Sequence, residues 1–184
     1  MPMEPKKAAA IRPAPDEYAP SYETYISKVK GNDIVGILEA QRLQMAQLFA
    51  ARSERDGNFR YAPDKWTVKE VLGHLSDTER ILAYRAMRIA RADQTPIEGF
   101  EQDDYVRNAA FNKRPLAELA EEFALVRGAS IALFRGLAGE AWLRRGIANK
   151  NEVTVRALAF LIAGHELHHR GILEERYFPA IPRA

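Results

Sequence analysis

The stretch Thr154-Val155-Arg156-Ala157-Leu158-Ala159-Phe160-Leu161-Ile162-Ala163-Gly164-His165-Glu166-Leu167-His168-His169-Arg170-Gly171-Ile172 decides how the rest of this chain is read. Leu158, Leu161, Ile162, His165, His169 and Ile172 recur at intervals of three and four, the spacing of one helix face. Thr154 can cap that helix, and Pro179 and Pro182 follow it, so the segment reads as a helix from Thr154 to about Tyr177. Three of the chain's four histidines fall inside it, at 165, 168 and 169. One turn separates His165 from His169, so both imidazoles leave the same face at a separation that one metal ion can bridge. A buried imidazole can instead satisfy itself with a carbonyl or carboxylate. Burying several without partners costs free energy, however, whereas a shared cation satisfies one nitrogen on each ring.

Working outward, Thr67 and Glu70 form a Thr-x-x-Glu capping box that starts a helix through Val71, Leu75, Ile81, Leu82 and Ile89 to about Ala92. The fourth histidine, His74, lies at the edge of its apolar stripe and can supply a third ligand from a facing helix, as bundles do. An earlier helix, capped by Asn32 or Asp33 and stopped by Asp56-Gly57-Asn58, carries Ile34, Ile37, Leu38, Leu43, Met45, Leu48 and Phe49 to about Arg55. Another runs from Pro115 to about Leu137, and a loop follows Gly139 to Asn151. No strand pattern competes. The expectation is an all-α four-helix bundle: an irregular N-terminal arm over 1–31, a single domain over 32–178 and a C-terminal tail over 179–184. The connection over 93–114, with Pro96, Gly99 and five acidic residues, could span roughly 70 Å if extended. It can return the chain to the other end of the bundle, so that the second and third helices run parallel, or cover the site as a lid.

Composition narrows the function classes. The 184 residues, 47% apolar, suit one domain with a real core, and zero cysteines excludes disulfides, thiolate ligands and a cysteine nucleophile. Any metal must therefore be held by nitrogen and oxygen donors. A formal charge of +2, with acids and bases interleaved and the basic pair Arg144-Arg145 too short to argue otherwise, describes a solvated surface more than a nucleic-acid footprint. Met1 to Glu17 lacks the apolar core of a secretory signal, and the run Ala157 to Ala163 is too short to cross a bilayer. The expectation is a cytoplasmic protein with no nucleic-acid or membrane partner.

Around the ligand candidates, Asp77 follows His74 by three residues and could orient it, ligate through oxygen, or act as a base; an exposed acid on a charged flank is the plainer reading. His168 leaves its helix at a different angle and is either a substitute ligand or acid–base group, or a surface or interhelix hydrogen-bonding residue. Glu166 is read as solvated. Glu70 is used by the capping box, Ser76 and Ser130 have no nucleophile context, and no phosphate-binding glycine loop occurs. Three histidines alone would leave coordination positions open, as catalytic sites do. A bound divalent ion could activate water or stabilise the thiolate of a cosubstrate. Imidazole suits zinc, nickel, copper and iron alike.

The segments Trp66-Thr67-Val68-Lys69-Glu70-Val71-Leu72-Gly73-His74-Leu75-Ser76-Asp77 and Gly164-His165-Glu166-Leu167-His168-His169-Arg170-Gly171 resemble the two signature segments of the DinB/YfiT-like superfamily. The resemblance extends from about Asp33 onward. It implies an up-down-down-up four-helix bundle and a divalent metal, nickel or zinc first and manganese or iron next, held by His74, His165 and His169. It also implies a small-molecule substrate, a low-molecular-weight thiol in some members, and often a homodimer. Members include thiol S-transferases, isomerases and proteins assigned as metal-dependent hydrolases. Ile172 departs from the pattern, standing where members often carry glutamine. Two classes of function follow: a metalloenzyme, hydrolase or thiol S-transferase, with Asp77 or His168 moving a proton, and a non-catalytic metal-binding or stress-response bundle.

Overall fold

In the computed structural model, residues 11–181 are described, so the first ten residues of the expected arm and residues 182–184 of the expected tail, Pro182 among them, lie outside the described residues. Four long helices dominate: α1 Ile34–Ala50, α2 Val68–Ala90, α3 Leu116–Arg135 and α4 Val155–Ile172. Their starts are chemically specified. The Asp33 side chain accepts from Gly36 N, Thr67 and Glu70 close the expected capping box, and Thr154 accepts from Ala157 N. Pro115 has no capping side chain; the Glu54 carboxylate accepts from Leu116 N at 2.9 Å instead.

Helix α1 packs on α3 and α4, and α2 packs on the same two partners. Cross-helix polar pairs record the register. Glu39 pairs with Arg135, and Gln41 accepts from Arg127; Gln44 accepts from Arg170, and Gln41 Nε2 donates to Ala163 O. Arg80 bonds Glu122, while Leu82 and Leu161 line one cavity.

Two buried apolar clusters fill the bundle. One gathers Ile26, Leu38, Leu82, Ile89, Phe134, Trp142 and Phe160, the other Met45, Phe49, Leu72, Phe111, Phe123, Leu173 and Tyr177. On each long helix a buried polar residue falls between the two: Gln41 on α1, His74 and Glu79 on α2, Arg127 on α3, His165 and Glu166 on α4. A polar layer therefore crosses the middle of the core.

Several expectations need correction. The expected all-α chain contains a β-hairpin, β1 Arg145–Ala148 paired antiparallel with β2 Asn151–Thr154, where a loop was expected. Asn149 and Lys150 turn it with φ of 49° and 65°, the left-handed pair that tight hairpins require. The first helix stops at Ala50, and Ser53 caps a separate turn, Glu54–Gly57, so chain reversal begins before Asp56-Gly57-Asn58. The 93–114 connection contains the helix Gln102–Ala109, and its Ile97 bridges Ala148 of the hairpin. The described part of the arm is ordered: 3-10 turns lead to the short helix Glu23–Ile26, which packs on α4. Gly164 permits that packing, because a Cβ there would meet Tyr25 O at 2.2 Å.

Candidate metal centre

Helix α2 carries His74 and helix α4 carries His165 and His169 into the polar layer, where one ring nitrogen from each lies within 4.8 Å of the others. The Nε2 atoms of His74 and His165 are 3.1 Å apart, and ring centroids are separated by 4.6 to 4.9 Å. Trp66 packs against His74 and lies nearly parallel to His169, and Tyr25 from the arm packs against His165. His74 and His165 are buried and His169 is half-buried.

Burial is the first cause of the low basicity of all three rings. It takes His74 down to about 4 and His169 to about 3, and holds His165 well below the usual histidine range, with neighbouring rings adding repulsion to the last two. At neutral pH the rings are uncharged, which is the form that ligates metal. Thr78 Oγ1 lies 3.4 Å from His74 Nδ1 and turns the other nitrogen toward the cluster.

A divalent ion fits this donor set. Two neutral nitrogens facing each other at 3.1 Å can share at most one proton, whereas tetrahedral ligation of zinc sets neighbouring nitrogens roughly 3.3 Å apart. The donor set is three nitrogens with no carboxylate joining it among the described residues.

The other expected site residues lie elsewhere. Asp77 is half-buried, and its carboxylate accepts from Arg80 at 3.2 Å with no hydrogen bond to His74 found among the described residues. Burial raises its pKa, opposed by Arg80. His168 is half-buried beside Tyr25, its ring centroid 5.1 Å from that of His169. Glu166, expected in solvent, is 1% exposed. Neither of its oxygens has a hydrogen-bond partner among the described residues, although Arg170 Nε lies 3.5 Å from Oε1, and burial pushes its pKa to about 7 against the pull of Arg127 and Arg170.

A cavity of about 310 Å³ reaches the cluster, with His74, Thr78, Leu82, Arg85, Leu161 and His165 at its buried end and Glu101, Gln102 and Asn149 exposed at its rim. Sequence reasoning missed Thr78 and Arg85. Their spacing from His74, four and eleven residues on, places them on the same side of α2 and could have found them.

A structure described as YfiT from Bacillus subtilis, "a probable metal-dependent hydrolase with an unusual four-helix bundle topology", superposes with a TM-score of 0.70 at 18% identity, covering 77% of this chain and 82% of that one. A mycothiol-dependent maleylpyruvate isomerase superposes with a TM-score of 0.66 at 10% identity, covering 85% of this chain and 66% of that one. At such identities the likeness shows the fold, a mostly helical four-helix bundle. No curated protein matches the sequence. The sequence profile of the DinB superfamily matches residues 37–173, which include both histidine segments and all four long helices from Ile37 onward, and the chain belongs to that superfamily.

Proposed function

We propose that this chain is a metal-dependent enzyme of small-molecule chemistry, a hydrolase first, in which His74, His165 and His169 hold one zinc or nickel ion. The observation that carries this reading is the meeting of three uncharged imidazoles, two of which, His74 and His165, line the buried end of a cavity that is open at its rim. A bound ion would supply Lewis acidity with coordination positions left open to that cavity. The chain's own residues do the rest. Thr78 orients His74, Trp66 and Tyr25 fix the ring planes and limit water, and Leu82 and Leu161 give the cavity an apolar floor. We give the proton-moving role to His168 ahead of Asp77, because His168 adjoins the cluster while Asp77 is held by Arg80. The likeness to a mycothiol-dependent isomerase supports a second reading, transfer or isomerisation with a small thiol brought in by the substrate side, since the chain has no cysteine of its own.

The same reading includes one domain over 32–178 with up-down-down-up order. Gln41 near Ala163 and Gln44 near Arg170 support parallel α1 and α4; Glu39 near Arg135 and Gln41 near Arg127 support antiparallel α1 and α3. His74 near His165 and Leu82 near Leu161 support antiparallel α2 and α4.

Elemental analysis of the purified chain beside His165→Ala, after dialysis in metal-free buffer and return of single metals, tests the proposal. About one ion per chain in the wild type, lost in the variant, is expected from the ligand set. No ion in either would sink it. If Asp77→Asn and His168→Asn both leave metal content and every measured turnover unchanged, their catalytic roles fail; metal bound without turnover of any thiol or ester tried would favour the non-catalytic reading.

A further inference from the structure

The cavity beside the histidines contains a guanidinium that no carboxylate pairs among the described residues. Arg85 is 3% exposed and lines the same space as His74 and His165. Its Nη2 donates to Glu98 O at 2.7 Å, but its Nε–H has no acceptor, and no ion pair joins it to a carboxylate among the described residues. Arg127, the other deeply buried arginine, has Glu79 at 2.8 Å. Desolvating a guanidinium without an anion is strongly unfavourable, and burial accordingly lowers the pKa of Arg85. Nothing in the packing of α2 requires the charge, since Leu82 and Ile89 already supply apolar contacts on either side.

We propose that Arg85 is the anchor for a carboxylate: the molecule that occupies this cavity is a small organic acid whose acid group pairs with the Arg85 guanidinium while its other end faces His74 and His165. The second half of this statement rests on the metal-site reading; the first half does not. Eleven residues of helix separate His74 from Arg85, roughly 16 Å of rise, and both residues line the one cavity. The ligand is therefore elongated, with several bonds between its acid and its reacting end. Leu82 and Leu161 on the floor, with Tyr22 and Phe100 on the walls, suit an apolar or aromatic body. A single guanidinium with one unused edge matches a monoanionic carboxylate; a phosphate dianion would want further cations, and the lining offers no other arginine or lysine. The one acid on the lining, Glu101, is exposed.

The test is calorimetric titration of the full-length protein, metal-loaded and metal-stripped, with phenylalkanoic acids of increasing chain length and with their primary amides. In the wild type an acid should bind about tenfold or more tighter than its amide, the discrimination expected of a hydrogen bond to a charged group. Arg85→Met should lose that preference while keeping the metal content and helicity of the wild type, and Arg85→Lys, which keeps the charge, should retain part of it. His165→Ala should retain the preference. Equal binding of acid and amide by the wild type would overturn the proposal. So would a preference that survives in both Arg85 variants and disappears in His165→Ala, because the acid would then be ligating the metal. A wild type that holds no metal yet still prefers acids would refute the metal reading and leave the Arg85 anchor standing.

Discussion

The polar layer across the bundle has two halves that treat buried polarity in opposite ways. In one, Gln41, Glu79 and Arg127 bond one another, with only Arg127 Nη2 of that guanidinium left without a partner among the described residues: Arg127 Nε donates to both Glu79 oxygens at 2.8 and 2.9 Å, its Nη1 donates to Gln41, and Gln41 donates on to Ala163 O. That network ties α1, α2, α3 and α4 together at one level. In the other half, three imidazoles turn their nitrogens toward one another, two of them, His74 and His165, line a cavity, and the guanidinium of Arg85 lines it too with no ion pair among the described residues. The closed half specifies how the helices pack. The open half is unfinished without a guest, and this difference separates structural polarity from binding polarity in one core.

The closed half should break most expensively. Glu79→Ala leaves the Arg127 guanidinium buried and unpaired, which costs about 3 to 5 kcal/mol where a buried ion pair is opened on one side. Urea unfolding would read the loss, and a cost under about 1 kcal/mol would mean that the pair contributes little and that the contrast is misplaced. The open half should instead be stabilised by filling it. Zinc or nickel at about a hundred times its dissociation constant should add about 2.7 kcal/mol to the unfolding free energy, visible as a rise in Tm that is absent in His165→Ala. A rise of equal size in His165→Ala would place the metal elsewhere. The third effect is smaller and sharper. Thr78→Val keeps shape but removes the group beside His74 Nδ1, so metal affinity should fall about tenfold with stability little changed.

Much of this division was legible in the sequence, though unevenly. His165 and His169 sit one turn apart on an apolar stripe, and His74 follows a capping box by a fixed helical count, so local rules alone place them. The starts at Asp33, Thr67 and Thr154 were equally local. The closed half was not legible. Glu79 and Arg127 read as two more charges on solvated faces, and only packing of α2 against α3, 48 residues apart, reveals their pairing. Glu166 misled for the same reason, since the arginines around it come from α3 and from its own next turn. The hairpin was missed because its strands have four residues each and its turn is Asn149-Lys150, without the glycine that usually marks left-handed backbone.

The arm supplies the mildest test of the same contrast, because Glu17 is a buried acid that is fully paired. Its carboxylate accepts from Thr154 Oγ1 at 2.8 Å, from Ala14 N at 3.0 Å and from Arg156, and so ties the arm to the start of α4. Burial by itself would raise its pKa; the donors outweigh burial, led by Arg156, and the net shift is below the ordinary value of 4.5. A folded-state pKa below the unfolded one means that the unfolded chain binds the proton more readily, so the stabilisation is full above about 4.5 and fades as pH falls through the folded value. Comparing wild type with Glu17→Gln in urea at pH 7, 5, 4 and 3 should therefore show a gap that is constant down to pH 5 and narrows below it. A gap that widens on acidification would mean that Glu17 folds with a raised pKa, and that burial, not pairing, governs acids throughout this core.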